Sequence, residues 1–109
     1  MARNVVDVLE EKKGEDIVIL DIKELADFCD YFVISSGTSD RMLQALADGV
    51  IENMRQHHKL KGRLEGLPQD GWLLIDFGDV IVHLFSPDRR NYYRLEELWS
   101  RGKVILRLQ

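Results

Sequence analysis

The chain has 109 residues, of which 45% are apolar and 31% charged. A chain of this size and mix is one domain's worth of polypeptide and buries roughly two-thirds of its unfolded surface, so wholesale disorder is excluded. One cysteine (Cys29) excludes an intrachain disulfide, and a net charge of −4 argues against binding naked DNA or RNA.

The first helix is expected over residues 2–13. Val5, Val8 and Leu9 fall at helical spacing, with Asn4 as N-cap and Gly14 as the stop. Ile17–Ile22 is a β-branched run and reads as a buried strand. Lys23–Asp30 is polar and reads as a loop, with Cys29 in it as an ordinary free thiol. Tyr31–Ser35 is a second strand. Ser36-Gly37-Thr38-Ser39 is a turn whose hydroxyls cap the next helix, through Thr38 or Ser39.

That second helix runs to about His58. Leu43, Leu46, Ala47, Val50, Ile51 and Met54 form one apolar stripe along it. Residues 59–71 are glycine-dotted, with Arg63–Glu65 a candidate edge strand. Trp72–Phe77 and Val80–Phe85 are two more strands. Only Gly78-Asp79 separates them, which is a hairpin signal. Ser86 and Pro87 open a third helix that should run to about Trp99. Residues 104–108 (VILRL) form either a last strand or a loose tail. The order α-β-β-α-(β)-β-β-α implies an α/β (α+β) fold, a single mixed sheet flanked by helices. The strand runs are nearly all apolar, so both faces of the sheet should be covered.

Few residues are arranged for chemistry. The Ser35–Arg41 turn has the shape of a phosphate-binding turn, but a nucleotidyltransferase also needs paired carboxylates on a neighbouring strand. After Asp76 that pair is broken by Gly78, and Asp79 falls in the hairpin turn. No GxxxxGK[ST] or GxGxxG loop is present. Helix capping is therefore the expected role of the turn. His57 and His58 are helical neighbours whose side chains diverge, so they cannot share a metal. With Arg55, Lys59, Lys61 and Arg63 they make a basic stretch, expected to offset the helix dipole rather than to grip nucleic acid. Hairpin alternation puts Trp72, Leu74, Asp76, Ile81, His83 and Phe85 on one face, with a structural Asp76–His83 hydrogen bond expected there. No G-x-S-x-G elbow supplies a nucleophile. The segment Arg89–Trp99 is rich in Arg, Tyr and Trp, the residue types that dominate binding hot spots. Residues 1–30 hold four basic and nine acidic side chains, a bias that suits either solubility or a basic protein partner.

Several stretches together resemble the ribosomal silencing factor family, also called Iojap-like. They are Asp16–Asp21, Asp30–Ser39 (DYFVISSGTS), Trp72–His83 (WLLIDFGDVIVH) and Tyr93–Glu96 through Trp99. The resemblance spans nearly the whole of residues 1–109, read as one such domain with a tail of uncertain structure at 100–109. It implies a nucleotidyltransferase-like fold without the catalytic carboxylates, and a protein that is not an enzyme. It implies binding to the large ribosomal subunit through that subunit's protein fourteen, blocking of small-subunit joining, and lowered translation under nutrient limitation. The alternatives are a factor for assembly of the large subunit that touches rRNA through Arg55–Arg63, and a relic nucleotidyltransferase-type enzyme using Asp76, Asp79 and His83. A homodimer when free is also implied. No cofactor, metal, DNA or membrane partner is expected, rRNA contact is at most peripheral, and a cytoplasmic location is expected. The family signature residues here are Trp72, Asp76, Gly78, Asp79, His83, Tyr93 and Trp99. Trp72, Phe77, Asp76, Asp79, Tyr93 and Trp99 are the candidate partner-binding residues.

Overall fold

Burial of two long apolar stripes organises the chain. The computed structural model describes residues 1–108. Helix α1 (Ala2–Glu11) presents Val5, Val6, Val8 and Leu9 inward. Helix α2 (Asp40–His58) presents Leu43, Leu46, Ala47, Val50 and Met54, with Ile51 only partly buried. Both pack on one face of a six-stranded sheet. Its strands are β1 (Glu15–Asp21), β2 (Tyr31–Ser36), β3 (Arg63–Leu67), β4 (Trp72–Asp76), β5 (Val80–Phe85) and β6 (Lys103–Leu108), in the spatial order β3-β4-β5-β2-β1-β6. Only β2 and β5 are parallel, so the sheet is mixed. The α/β class expected from sequence is the one observed.

Local chemistry accounts for most boundaries. The Ser39 hydroxyl accepts the Met42 amide at 3.0 Å and starts α2. Ser86 does the same for Arg89 at the start of helix α3 (Pro87–Tyr93), with Pro87 in the first turn. The hairpin turn at Gly78 needs a φ of +94°, which glycine adopts without strain.

Several expectations change. The first helix begins at Ala2 with Met1 as its cap, and Asn4 lies inside it. It ends at Glu11, and Lys13, not Gly14, takes the left-handed backbone (φ 69°). Gly14 is needed for space, since a Cβ there would sit 2.7 Å from Ser35 Oγ. The candidate edge strand extends to Leu67. Residues 103–108 pair antiparallel with β1, Lys103 opposite Asp21 and Leu108 opposite Ile17. The third helix is not continuous. Arg94 turns left-handed (φ 49°), and a separate short helix α4 (Leu95–Leu98) follows. Arg90 secures this corner although it is only 9% exposed. Its Nε donates to Glu96 at 3.1 Å and a terminal nitrogen donates to Ser36 Oγ at 2.9 Å.

Candidate partner-binding surface

The face of the sheet away from α1 and α2 has a different cover. Val18, Leu20, Ile22, Phe32, Ile34 and Phe85 lie under Cys29, Leu95 and the partly buried Ala26, Trp72, Ile81 and Trp99. A loop and two short helices cannot close a six-stranded face, so large side chains stay partly open to solvent.

Those side chains are mostly aromatic, and they touch in series. Tyr92 meets Tyr93 edge-on at 5.1 Å between ring centres, and Tyr93 meets Trp72 at 4.6 Å. Trp72 stacks on Phe85 at 5.1 Å and lies 5.9 Å from His83. His83 meets Phe32 edge-on at 4.7 Å, Phe32 meets Trp99 at 5.4 Å, and Trp99 meets Phe28 at 6.0 Å. Such edge-on and offset pairs add stability beyond the area they bury. The run ends in the open at both sides, since Tyr92 is 69% exposed and Phe28 58%. Leu98 adds a further 74%-exposed apolar side chain on α4. Beside Trp72, the residues Glu65, Gly66 and Leu74 line a shallow groove of about 200 Å³.

His83 sits under the middle of this run. Trp72 Nε1–H donates to its Nδ1 at 3.2 Å, so the neutral ring carries its proton on Nε2. That Nε2 is buried without a hydrogen-bond partner. Burial pushes the His83 pKa down to about 4, because the protonated ring would be stranded away from water. The expected Asp76–His83 bond is not made. The register sets His83 opposite Leu74 and Asp76 opposite Ile81. Asp76 instead accepts the Gly78 amide at 2.8 Å and meets Arg63 at 3.4 Å.

Carboxylates gather at one end of the face. Cys29 is buried rather than loop-exposed, and its thiol is pushed up to about 11, first by burial and then by the charges of Asp30, Asp76 and Asp79. Those three acids therefore stand together near Cys29. The Asp79 backbone carbonyl accepts the Asp30 and Tyr31 amides at 2.8 and 3.1 Å, which ties the hairpin turn to the start of β2. The raised pKa makes Cys29 a poor nucleophile.

Five of the six candidate residues, Trp72, Asp76, Asp79, Tyr93 and Trp99, thus belong to this face or its acidic end. Phe77 does not. It alternates with Leu73 and Ile75 and packs into the helix-side core against Gly62. Strand alternation was the signal that separates it from Trp72. Phe28 was missed because the polar residues of its loop masked it, and Tyr92 and Leu98 were missed as core-stripe neighbours. Among the described residues, no group of three or more His, Cys, Asp or Glu side chains is placed to hold a metal ion. None of the helices among them is long and apolar enough to cross a membrane.

The sequence pattern of the family described as "Ribosomal silencing factor during starvation" matches residues 1–108. The ribosomal silencing factor of Halalkalibacterium halodurans is 40% identical over 100 residues, covering 92% of this chain and 86% of that protein. The mouse protein named "Mitochondrial assembly of ribosomal large subunit protein 1" is 36% identical over 100 residues, covering 88% of this chain and 43% of its own length. The crystal structure of a Chromobacterium violaceum protein superposes with a TM-score of 0.86 at 33% identity, over 91% of this chain and 82% of that one. A family match over residues 1–108, with 40% identity to a named member over 92% of the chain, leaves one assignment: this chain belongs to the ribosomal silencing factor family.

Proposed function

We propose that the chain represses translation by docking its aromatic face on the large ribosomal subunit and keeping the small subunit away. The observation that carries this reading is the unbroken ring series from Tyr92 to Phe28, with Asp30, Asp76 and Asp79 grouped at its flank. Half-exposed Trp and Tyr side chains are the usual anchors of protein interfaces, and flanking acids suit a basic protein target. The subunit's protein fourteen is that target in this reading, as the family resemblance implies, and the site of action is the cytoplasm.

Binding, not catalysis, is the activity. The position after Asp76 where a second metal-holding acid would stand is Gly78, in a turn with φ +94° that favours glycine. Asp76 itself is engaged by the Gly78 amide and Arg63. When free, the exposed Phe28, Tyr92 and Leu98 are covered by a second copy of the chain, so dimerisation and ribosome binding compete. Light scattering should then give a mass above the monomer at high micromolar concentration, and a monomer mass there contradicts the dimer.

Sucrose-gradient sedimentation of tagged protein in lysate tests the docking. The protein should travel with free large subunits and be absent from small subunits and translating ribosomes. Co-migration with translating ribosomes would overturn the proposal. The name of the mouse relative favours a second reading, a factor for large-subunit assembly. Depletion separates the two: immature large subunits accumulate only if the chain acts in assembly.

A further inference from the structure

The basic stretch runs from the last turn of α2, where Arg55, His57 and His58 face the helix dipole as expected, into the loop that follows. The end of α2 is closed by backbone, with the Leu60 amide donating to the Met54 carbonyl at 3.1 Å. Arg55 is held by Glu52 at 2.7 Å, and Arg63 meets Asp76 at 3.4 Å and Glu65 at 3.8 Å. Between them His57, His58, Lys59 and Lys61 are exposed and make no side-chain hydrogen bond or ion pair among the described residues. No Asp or Glu occurs between Glu52 and Glu65.

The segment is also pinned in one orientation. Leu60 packs against the helix-side core. At Gly62 a Cβ would lie 2.6 Å from Phe77 and 2.8 Å from Ile75, so the backbone itself presses on those side chains. With Leu60 and Gly62 inward, Lys59 and Lys61 are held outward. Two unneutralised ammonium groups on an anchored loop, with no acid nearby in sequence, form an electrostatic footprint for a phosphodiester backbone.

We infer that Lys59 and Lys61 contact RNA phosphates of the large subunit while the aromatic face engages protein. The inference rests on the docking proposed above. A net charge of −4 is compatible with it, because the positive charge is local.

The test measures affinity for purified large ribosomal subunits across a salt series, using the intact protein, Lys59→Gln/Lys61→Gln and Trp72→Ala. Each variant is first shown folded by circular dichroism. Removing each phosphate contact should flatten the slope of log affinity against log salt by about one. The double variant should therefore lose about two units of slope, with Trp72→Ala weaker at every salt and its slope unchanged. Ultraviolet crosslinking of the wild-type complex should yield nucleotide adducts within residues 57–63. An unchanged slope in the lysine variant, or crosslinks from this loop to protein alone, overturns the inference. If the lysine variant loses slope while Trp72→Ala binds normally, the aromatic docking fails and the RNA contact stands. If no form binds large subunits, both fail.

Discussion

The two faces of one sheet solve the same burial problem in different ways. On the first, a 10-residue and a 19-residue helix bring Val5, Leu9, Leu43, Leu46 and Val50 down to 0% exposure. On the second, the strands carry apolar side chains together with His83 and Asp76, and the cover is a loop, a seven-residue helix and a four-residue helix. The result is a closed aliphatic core on one side and a half-open aromatic layer on the other. Aliphatic side chains suit a permanent interior. Aromatic rings tolerate partial exposure, and they keep their packing partners when a protein surface arrives. In the docking proposed above, the fold thereby separates stability and binding onto opposite faces.

The largest effect expected from this division is on the closed side. Leu46→Ala should cost about 3 kcal/mol of stability, since a fully buried leucine leaves a cavity that two packed helices and a sheet cannot collapse. Urea unfolding measures it, and a loss below about 1 kcal/mol would show that face to be loosely packed. The next effect is pH dependence centred on His83. Its folded pKa of about 4 lies below the usual 6.5, so the unfolded chain binds the proton more readily. The contribution is fully present above about pH 6.5 and is lost as pH falls toward 4, amounting to roughly 3 kcal/mol at the acid end. His83→Phe should flatten that pH profile if the ring is the cause.

A smaller effect is expected from binding on the open side. Trp72→Ala should weaken association with large subunits by about tenfold or more, once the variant is shown folded. Trp72→Phe keeps the ring stack but loses the indole bond to His83, and should cost only about 1 kcal/mol of stability. The smallest effect is at the rim. Tyr92→Ser, at a side chain 69% exposed, should leave stability within about 0.5 kcal/mol. A large loss there would mean that the open face is core after all.

Much of this contrast was legible in the residues, because the physics behind it is local. The α2 stripe, the Ser39 and Ser86 caps and the Gly78-Asp79 hairpin follow from periodicity and turn chemistry, and they appear where expected. The break at Arg94 was not legible. No glycine or proline marks it, and the corner is held by one local bond of Arg94 and by the long-range anchoring of Arg90. Arg94 Nε donates to the Asn91 carbonyl, and the neighbouring Arg90 is locked to Ser36 and Glu96. That break turns α4 back on the sheet, where Leu95 is buried and Trp99 meets Phe32 and Phe28. The aromatic face was half legible for a related reason. Trp72, Tyr93 and Trp99 stood out by type, but Phe28 joins them only through long-range packing. The Trp72–His83 bond was hidden by a more familiar Asp–His pairing that the strand register does not allow.

Purified large and small subunits mixed with increasing amounts of this protein, with joining followed by light scattering, test the division of labour between the two faces most directly. Joining should fall in proportion to the occupancy of the large subunit and recover when Trp72→Ala replaces the wild type. Joining that proceeds unchanged while the wild-type protein stays bound to the large subunit would contradict it.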